Sequence, residues 1–296
     1  MKHGALAAAA AYFIWGLFPL YWKLLDQVPS LQIMAHRIVW CALLVFAWLT
    51  AREGTTWLRQ LPLRVIAMLT ASSLLIACNW WLYIWAVNSG HIVETSLGYF
   101  INPLVSVLLG VFLLGERLRP WQWLSVIVAA AGVLYLTLQA GQVPFIALTL
   151  ACSFGGYGLV RKLVPVPAVQ GLAVESGLLF LPALGLLLWA EHQGDGRFGH
   201  IALSQDLLLV AGGLVTAVPL ALFAYGARRI PLSMIGFLQY LAPTLQLLLG
   251  VFIYHEAFAR TQLIGFGCIW GALAIYTLDG LWRARRPALS SAAAGP

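Results

Sequence analysis

Ten times along its 296 residues the chain runs through about 20 residues that are almost wholly apolar, near 4–23, 31–50, 65–87, 94–115, 121–138, 144–162, 168–190, 206–227, 231–253 and 261–281. A helix crossing a hydrocarbon core of about 30 Å needs about 20 such residues. A membrane β-barrel would instead show short segments alternating between apolar and polar residues, and these runs are continuous. The pattern predicts an all-α polytopic membrane protein with ten transmembrane helices. The rest of the composition agrees. The chain is 61% hydrophobic and 9% charged, has 13 Trp and a mean hydropathy of +0.88. So few charges cannot solvate a globule of this size, which excludes a soluble enzyme, a nucleic-acid binder and a disordered chain. The first stretch is no secretory leader by composition. It continues through Trp15, Pro19 and Trp22, longer and bulkier than a cleaved apolar region.

The net charge of +7 reads as a topological label. With the N-terminus inside, the cytoplasmic face receives Lys2, Arg52, Arg59, Arg64, Arg117, Arg119, Arg161, Lys162, Arg228, Arg229, Arg283, Arg285 and Arg286, which is 13 of the 17 Lys and Arg residues. Cytoplasmic loops carry this excess. Both termini are then expected in the cytoplasm, as an even span count requires.

The fourth and ninth stretches are copies. Residues 98–116 read GYFINPLVSVLLGVFLLGE and residues 238–256 read LQYLAPTLQLLLGVFIYHE. An offset of 140 superposes Pro103 on Pro243, Gly110 on Gly250 and Glu116 on Glu256; Lys23 matches Lys162 at 139, and Gln32 matches Gln170 at 138. Two copies of five spans each enter the membrane from opposite sides. The expected organisation is therefore two inverted five-helix repeats, 1–138 and 144–282, followed by a cytoplasmic tail, 283–296. Inverted repeats are common in secondary transporters, whose solute sites lie near mid-membrane between the repeats.

Polar residues within the spans mark where such a site would be. Tyr99, Asn102 and Ser106 are spaced i, i+3 and i+7 on one helix face, and the repeat-equivalent positions hold Gln239, Ala242 and Gln246. Polar groups facing lipid are costly, so both stripes should face inward. Pro103 and Pro243 lack an amide hydrogen and clash with the carbonyl four residues earlier. They are expected to kink their helices and free the carbonyls of Tyr99 and Gln239. Asn79 and Tyr83 share a face of the third stretch; Trp81 and Trp85 share another. The first stretch adds Tyr12, Trp15 and Trp22, and Tyr157 stands in the sixth. Trp15 and Tyr157 complete the expected solute-contacting set. Aromatic walls would suit a planar or cationic organic solute.

Four ionisable residues are candidates for gating or proton coupling: His36, Arg37, Glu94 and Glu175. Counted from opposite ends of their helices, Arg37 and Glu175 each lie roughly 10 Å deep, and too far apart for a direct ion pair without tilt. Glu94 is the better-placed partner for Arg37, and Arg161 or Lys162 for Glu175. His36 is the leading proton carrier, because an unperturbed imidazole titrates near neutral pH. Glu116 and Glu256 are expected to cap the helices that follow them. The four Cys are scattered within spans, and no metal-ligand, ATP-binding or hydrolase motif occurs. No cofactor and no enzymatic activity are expected. Gly267 and Gly271 form a GxxxG, a pointer to close helix packing, and the chain is expected to be a monomer or a weak homodimer.

Several runs together carry a family resemblance: AYFIWG at 11–16, His36-Arg37, Asn79-Trp80, IWAVN at 84–88, SLGYFINP at 96–103, Gly115-Glu116, GLVRK at 158–162 and Gln239-Tyr240. In these the chain resembles the EamA branch of the drug/metabolite transporter superfamily, and more closely its RarD group. The resemblance implies an inner-membrane permease, an exporter of small organic solutes driven by an ion gradient, with a central cavity built from helices 1, 3, 4, 6, 8 and 9. Expected partners are the lipid bilayer, a small-molecule solute and protons. An exporter specific for amino acids or related metabolites is the alternative within that class, and a non-transporting scaffold or sensor is the alternative outside it.

Overall fold

The computed structural model describes residues 2–89, 92–140, 145–255 and 260–292. Among them there are helices and turns but no strand. In hydrocarbon a chain must satisfy its own amides and carbonyls, and helices do so within one segment. The long helices are α1 (Lys2–Gly16, continued after Leu17 by Phe18–Trp22), α2 (Ser30–Glu53), α3 (Leu63–Asn88), α4 (Ile92–Leu114), α5 (Pro120–Ala140), α6 (Phe145–Leu163), α7 (Ala168–His192), α8 (Leu203–Ala227), α9 (Leu232–Gln239 and Leu241–Phe252) and α10 (Arg260–Ala292). Among the described residues, nine spans are long and apolar enough to cross a membrane. The remaining long helix, α6, is the one with Ser153, three glycines from Gly155 to Gly158, and both Arg161 and Lys162 in its last turn.

Prolines set where helices begin. Pro29, Pro167 and Pro231 hold extended backbone at φ/ψ of −55/135°, −52/146° and −55/146° directly before α2, α7 and α9. Within helices prolines act differently. α4 runs unbroken through Pro103, whereas α9 is interrupted at Tyr240, three residues before Pro243.

Each helix turns apolar side chains outward to a degree no aqueous surface would tolerate. Leu63, Phe112 and Leu181 are 82%, 74% and 73% exposed, which suits lipid as the surrounding solvent. The largest buried cluster gathers Tyr12, Leu49, Ile76, Tyr157, Phe223 and Ile235 from α1, α2, α3, α6, α8 and α9. Close approaches are made at glycines. A Cβ on Gly213 would stand 2.5 Å from the carbonyl carbon of Trp40, and one on Gly236 the same distance from the carbonyl oxygen of Pro103. The α2/α8 and α4/α9 crossings therefore depend on those residues having no side chain. The GxxxG of α10 does not serve such a contact within the chain. Cβ atoms on Gly267 and Gly271 would meet nothing within 4 Å, while one on neighbouring Gly265 would meet Leu136 of α5.

The two ends of the bundle are tied in different ways. One end of the bundle is tied by Tyr21 donating to the Leu208 carbonyl, Gln32 to that of Asp195 (2.8 Å) and Gln205 to that of Leu24 (3.0 Å). The other is tied by cations: Lys162 Nζ donates to the carbonyls of Ala227 (3.2 Å) and Ile230 (2.6 Å), Arg228 to that of Val166, and Arg119 pairs with Asp279 at 2.9 Å. Carbonyls at helix C-termini lack intrahelical donors, and cations there are favourable.

Candidate functional site

A cavity of about 250 Å³ opens between the helices, running from mid-bundle toward the end that carries the start of α2. Of the residues expected to touch solute, Trp15, Asn79, Tyr83, Tyr99, Asn102, Gln239 and Gln246 line it. Ser106 does not; it is buried one turn deeper and donates to Gln239 Oε1 at 3.4 Å. Tyr157 is buried in the core, stacked on Phe223 with ring centroids 5.7 Å apart. Pro243 lines the cavity, and Pro103 lies just outside it.

The polar side chains in the wall are held in place. Asn79 Nδ2 donates to the Leu150 carbonyl (2.8 Å) and to Ser153 Oγ (3.0 Å), so α3 and α6 are joined behind it. Gln246 Nε2 donates to the Trp15 carbonyl at 3.3 Å, which joins α9 to α1. The rings of Tyr83 and Tyr99 meet edge to face at 5.9 Å. Asn102 is 6% exposed, and its Oδ1 has no hydrogen-bond partner. A buried acceptor without a donor costs on the order of 1–3 kcal/mol, so a donor from a bound solute or water is favoured there.

Aromatic side chains make much of the rest of the wall, beside Pro19, Ile76, Leu150, Leu220, Ala242 and Pro243. Sequence reasoning found Trp15 but left Trp80, Phe18, Trp22 and Phe154 out of the solute set, and all four line the cavity. Trp15 meets Phe154 edge to face at 5.9 Å, and Phe18 meets Trp22 at 5.1 Å. Helical spacing was the available signal for α3. Trp80 follows Asn79 on the inward side, while Trp81 and Trp85 stack at 6.5 Å on the outside, 57% and 44% exposed, as an interfacial belt would.

The ionisable residues fall into three different surroundings. Arg37 is in the cavity wall. Its Nε donates to Thr216 Oγ1 at 2.9 Å, and its guanidinium carbon lies 4.6 Å from the Trp22 ring centroid, 5.1 Å from Trp80 and 5.6 Å from Phe18. These are cation–π distances. His36, the neighbour in sequence, does not line the cavity. It is buried under Phe198 of the α7–α8 connection, ring centroids 5.1 Å apart. Glu175 lies in the other half of the bundle. It accepts from Ser72 and sits 3.5 Å from Arg161, both partners almost wholly buried. Arg161 also donates to the Ala168 carbonyl at 2.9 Å. A void of only about 20 Å³ touches Glu175, and it shares Ile76, Trp80 and Leu220 with the large cavity as a partition. The side chain of Glu94 and the whole of Glu256 lie outside the described residues.

Glu116 corrects an expectation. Its carboxylate does not cap the helix that follows it. It reaches across the bundle to α9, accepting from the amides of Leu232 (2.6 Å) and Ser233 (2.9 Å) and from Ser233 Oγ (2.6 Å). Free amides at a helix start are an anion site, and in this packing the start of α9 is nearer than that of α5.

Comparison with known proteins gives this cavity a context. The EamA-like transporter family matches residues 2–138 and again 143–278. Protein RarD of Streptomyces exfoliatus is 45% identical over 298 residues, covering 100% of this chain and 94% of that protein. Transporter YojE of Bacillus subtilis is 47% identical, covering 94% of each. Protein RarD of Escherichia coli K12 is 44% identical, covering 96% of this chain and 97% of that one. A solved crystal structure with a TM-score of 0.70 and 23% identity covers 94% of this chain and 97% of its own, and shares the fold. With its many apolar spans and its transporter relatives, the chain is a multi-pass protein of the bacterial inner membrane. It belongs to the EamA-like transporter family and, within it, to the RarD group.

Proposed function

We propose that this transporter exports small organic solutes by alternating access, its two halves rocking about the cavity. The observation that carries the reading is the cavity itself, walled by the polar stripes of both α4 and α9. A packed scaffold would have no reason to keep an unpartnered Asn102 carbonyl beside open space.

The inverted-repeat organisation is supported by the helix contacts, and the cytoplasmic placing of both termini by the distribution of Lys and Arg. Exchange α1 with α6, α2 with α7, α3 with α8, α4 with α9 and α5 with α10, and the neighbours exchange too. α1 packs on α8 and α9, and α6 on α3 and α4; α2 packs on α8, and α7 on α3; α2/α7, α4/α9 and α5/α10 pair with themselves. The family's double match follows the same division. The starts of α2 and α7 repeat as well: Pro29 and Pro167 stand 138 residues apart, as do Gln32 and Gln170.

Uptake and efflux in proteoliposomes under an imposed pH gradient test this. Asn102→Leu and Gln239→Leu should each lower the transport rate about 10-fold or more, because a desolvated polar solute group loses its partner. Unchanged rates in both would remove the cavity assignment. Proton coupling is assigned to His36 or Glu175. If His36→Ala and Glu175→Gln both keep full gradient-driven transport, coupling lies elsewhere.

A further inference from the structure

We propose that the cavity selects organic anions: solutes carrying a carboxylate on a planar apolar body, bound with the carboxylate on Arg37. The inference rests on the cavity being the solute site. Sequence alone suggested planar or cationic solutes, because it showed aromatic residues and not what stood among them. In the structure Arg37 is the one charged side chain among the described residues of the wall, and none of those residues brings a carboxylate to it. Its Nε is taken by Thr216, which in turn donates to the Gly212 carbonyl at 2.7 Å. Among the described residues, the two terminal nitrogens make no hydrogen bond and no ion pair.

Three facts point the same way. Arg37 is half-buried in a wall whose described residues hold no counter-charge, so that wall gains most from an anion. The terminal nitrogens of a guanidinium form a planar fork that fits a carboxylate bidentately. The Nε bond to Thr216 and the rings of Trp22 and Trp80 fix the plane of that fork before solute arrives. Preorganisation of this kind lowers the ordering cost of binding. A fixed positive charge repels an amine, which would have to share the cavity with Arg37. The apolar part of the wall is aromatic and aliphatic and suits a flat apolar body. Asn102 Oδ1 adds a place for a hydroxyl donor.

The test uses full-length protein in nanodiscs and three probes of one shape: 3-(4-hydroxyphenyl)propanoate, its primary amide, and tyramine. Binding is read by tryptophan fluorescence, since Trp15, Trp22 and Trp80 line the cavity. The carboxylate should bind about 10-fold or more tightly than the amide, and tyramine more weakly still. That ranking is measured on the unaltered protein and does not depend on a variant folding. In Arg37→Gln acid and amide should bind alike, while Arg37→Lys should keep part of the preference. Equal binding of acid and amide, preference for tyramine, or no binding by any probe would overturn the proposal. The same probes in proteoliposomes separate it from the transport reading. Carboxylate bound but never moved would end that reading and leave the anion site standing. Tyramine carried with the carboxylate ignored would do the reverse.

Discussion

Buried charge is the residue-scale feature with the largest energetic stake. Arg161 and Glu175 are 2% and 4% exposed by side chain, 3.5 Å apart, and Arg161 Nε and Nη1 have no hydrogen-bond partner. Removing one member of such a pair strands the other. Arg161→Ala should destabilise the protein by about 3–5 kcal/mol, whereas Arg161→Met combined with Glu175→Leu should recover most of that loss. Melting temperatures in detergent would show the difference, and a double variant no better than the single one would mean the pair is not the source. Sequence made these residues legible by depth. Counting along helices put Arg37 and Glu175 in separate layers and named Arg161 or Lys162 as a partner within reach of Glu175; the structure pairs it with Arg161. It could not give the direction in which each side chain leaves its helix. His36 and Arg37 are adjacent in sequence and about 100° apart around α2. One lies beneath Phe198 and the other lines the cavity. That angle becomes meaningful only when the neighbours of α2 are known.

At the scale of elements, apolar run length located the helices to within a few residues in most cases. The seventh stretch, expected at 168–190, is Ala168–His192. The exception is the last helix, expected to end near 281 and continuing to Ala292. Hydropathy marks where a helix leaves hydrocarbon, and residues 282–286 carry no local stop signal before Pro287. What joins helices was less legible, because small residues and caps act across the chain. Gly236 is an ordinary residue of an apolar run until α4 is seen 2.5 Å from where its Cβ would be. The atom it would strike is backbone and cannot rotate away, so Gly236→Ala should part α4 from α9 and lower the melting temperature by more than Gly271→Ala, whose Cβ meets nothing within 4 Å. Equal melting temperatures would show that the crossing can relax. Glu116 is the other long-range device. Glu116→Ala leaves two amides and a hydroxyl at the start of α9 without their acceptor, for an expected cost of about 1–3 kcal/mol, to be read by the same melts.

For the whole molecule, the proposed repeat relates Arg37 to Glu175, since 138 residues separate them as they separate Gln32 from Gln170. Equivalent places thus hold opposite charges, one beside a cavity of about 250 Å³ and the other beside a void of about 20 Å³. If the halves exchange conformations, the small void should open as the large one shuts. A cysteine in place of Leu172, which lines the small void and is 3% exposed, should resist maleimide at rest and react during turnover, in a background with Cys41, Cys78, Cys152 and Cys268 replaced by Ser. Protection that never changes would argue for one static conformation. The Glu116 contact then acquires a mechanical meaning. It fastens the α4–α5 turn of one half to the start of α9 in the other, at the end of the bundle away from the open cavity. A lever turns least at its fulcrum. Rocking that preserves these three hydrogen bonds would swing the far ends of α4 and α9 through the widest arc while leaving the pinned end almost still. Cutting the pin would turn a hinge into a loose joint, and the proposed coupling of transport to an ion gradient would be the first thing to slacken.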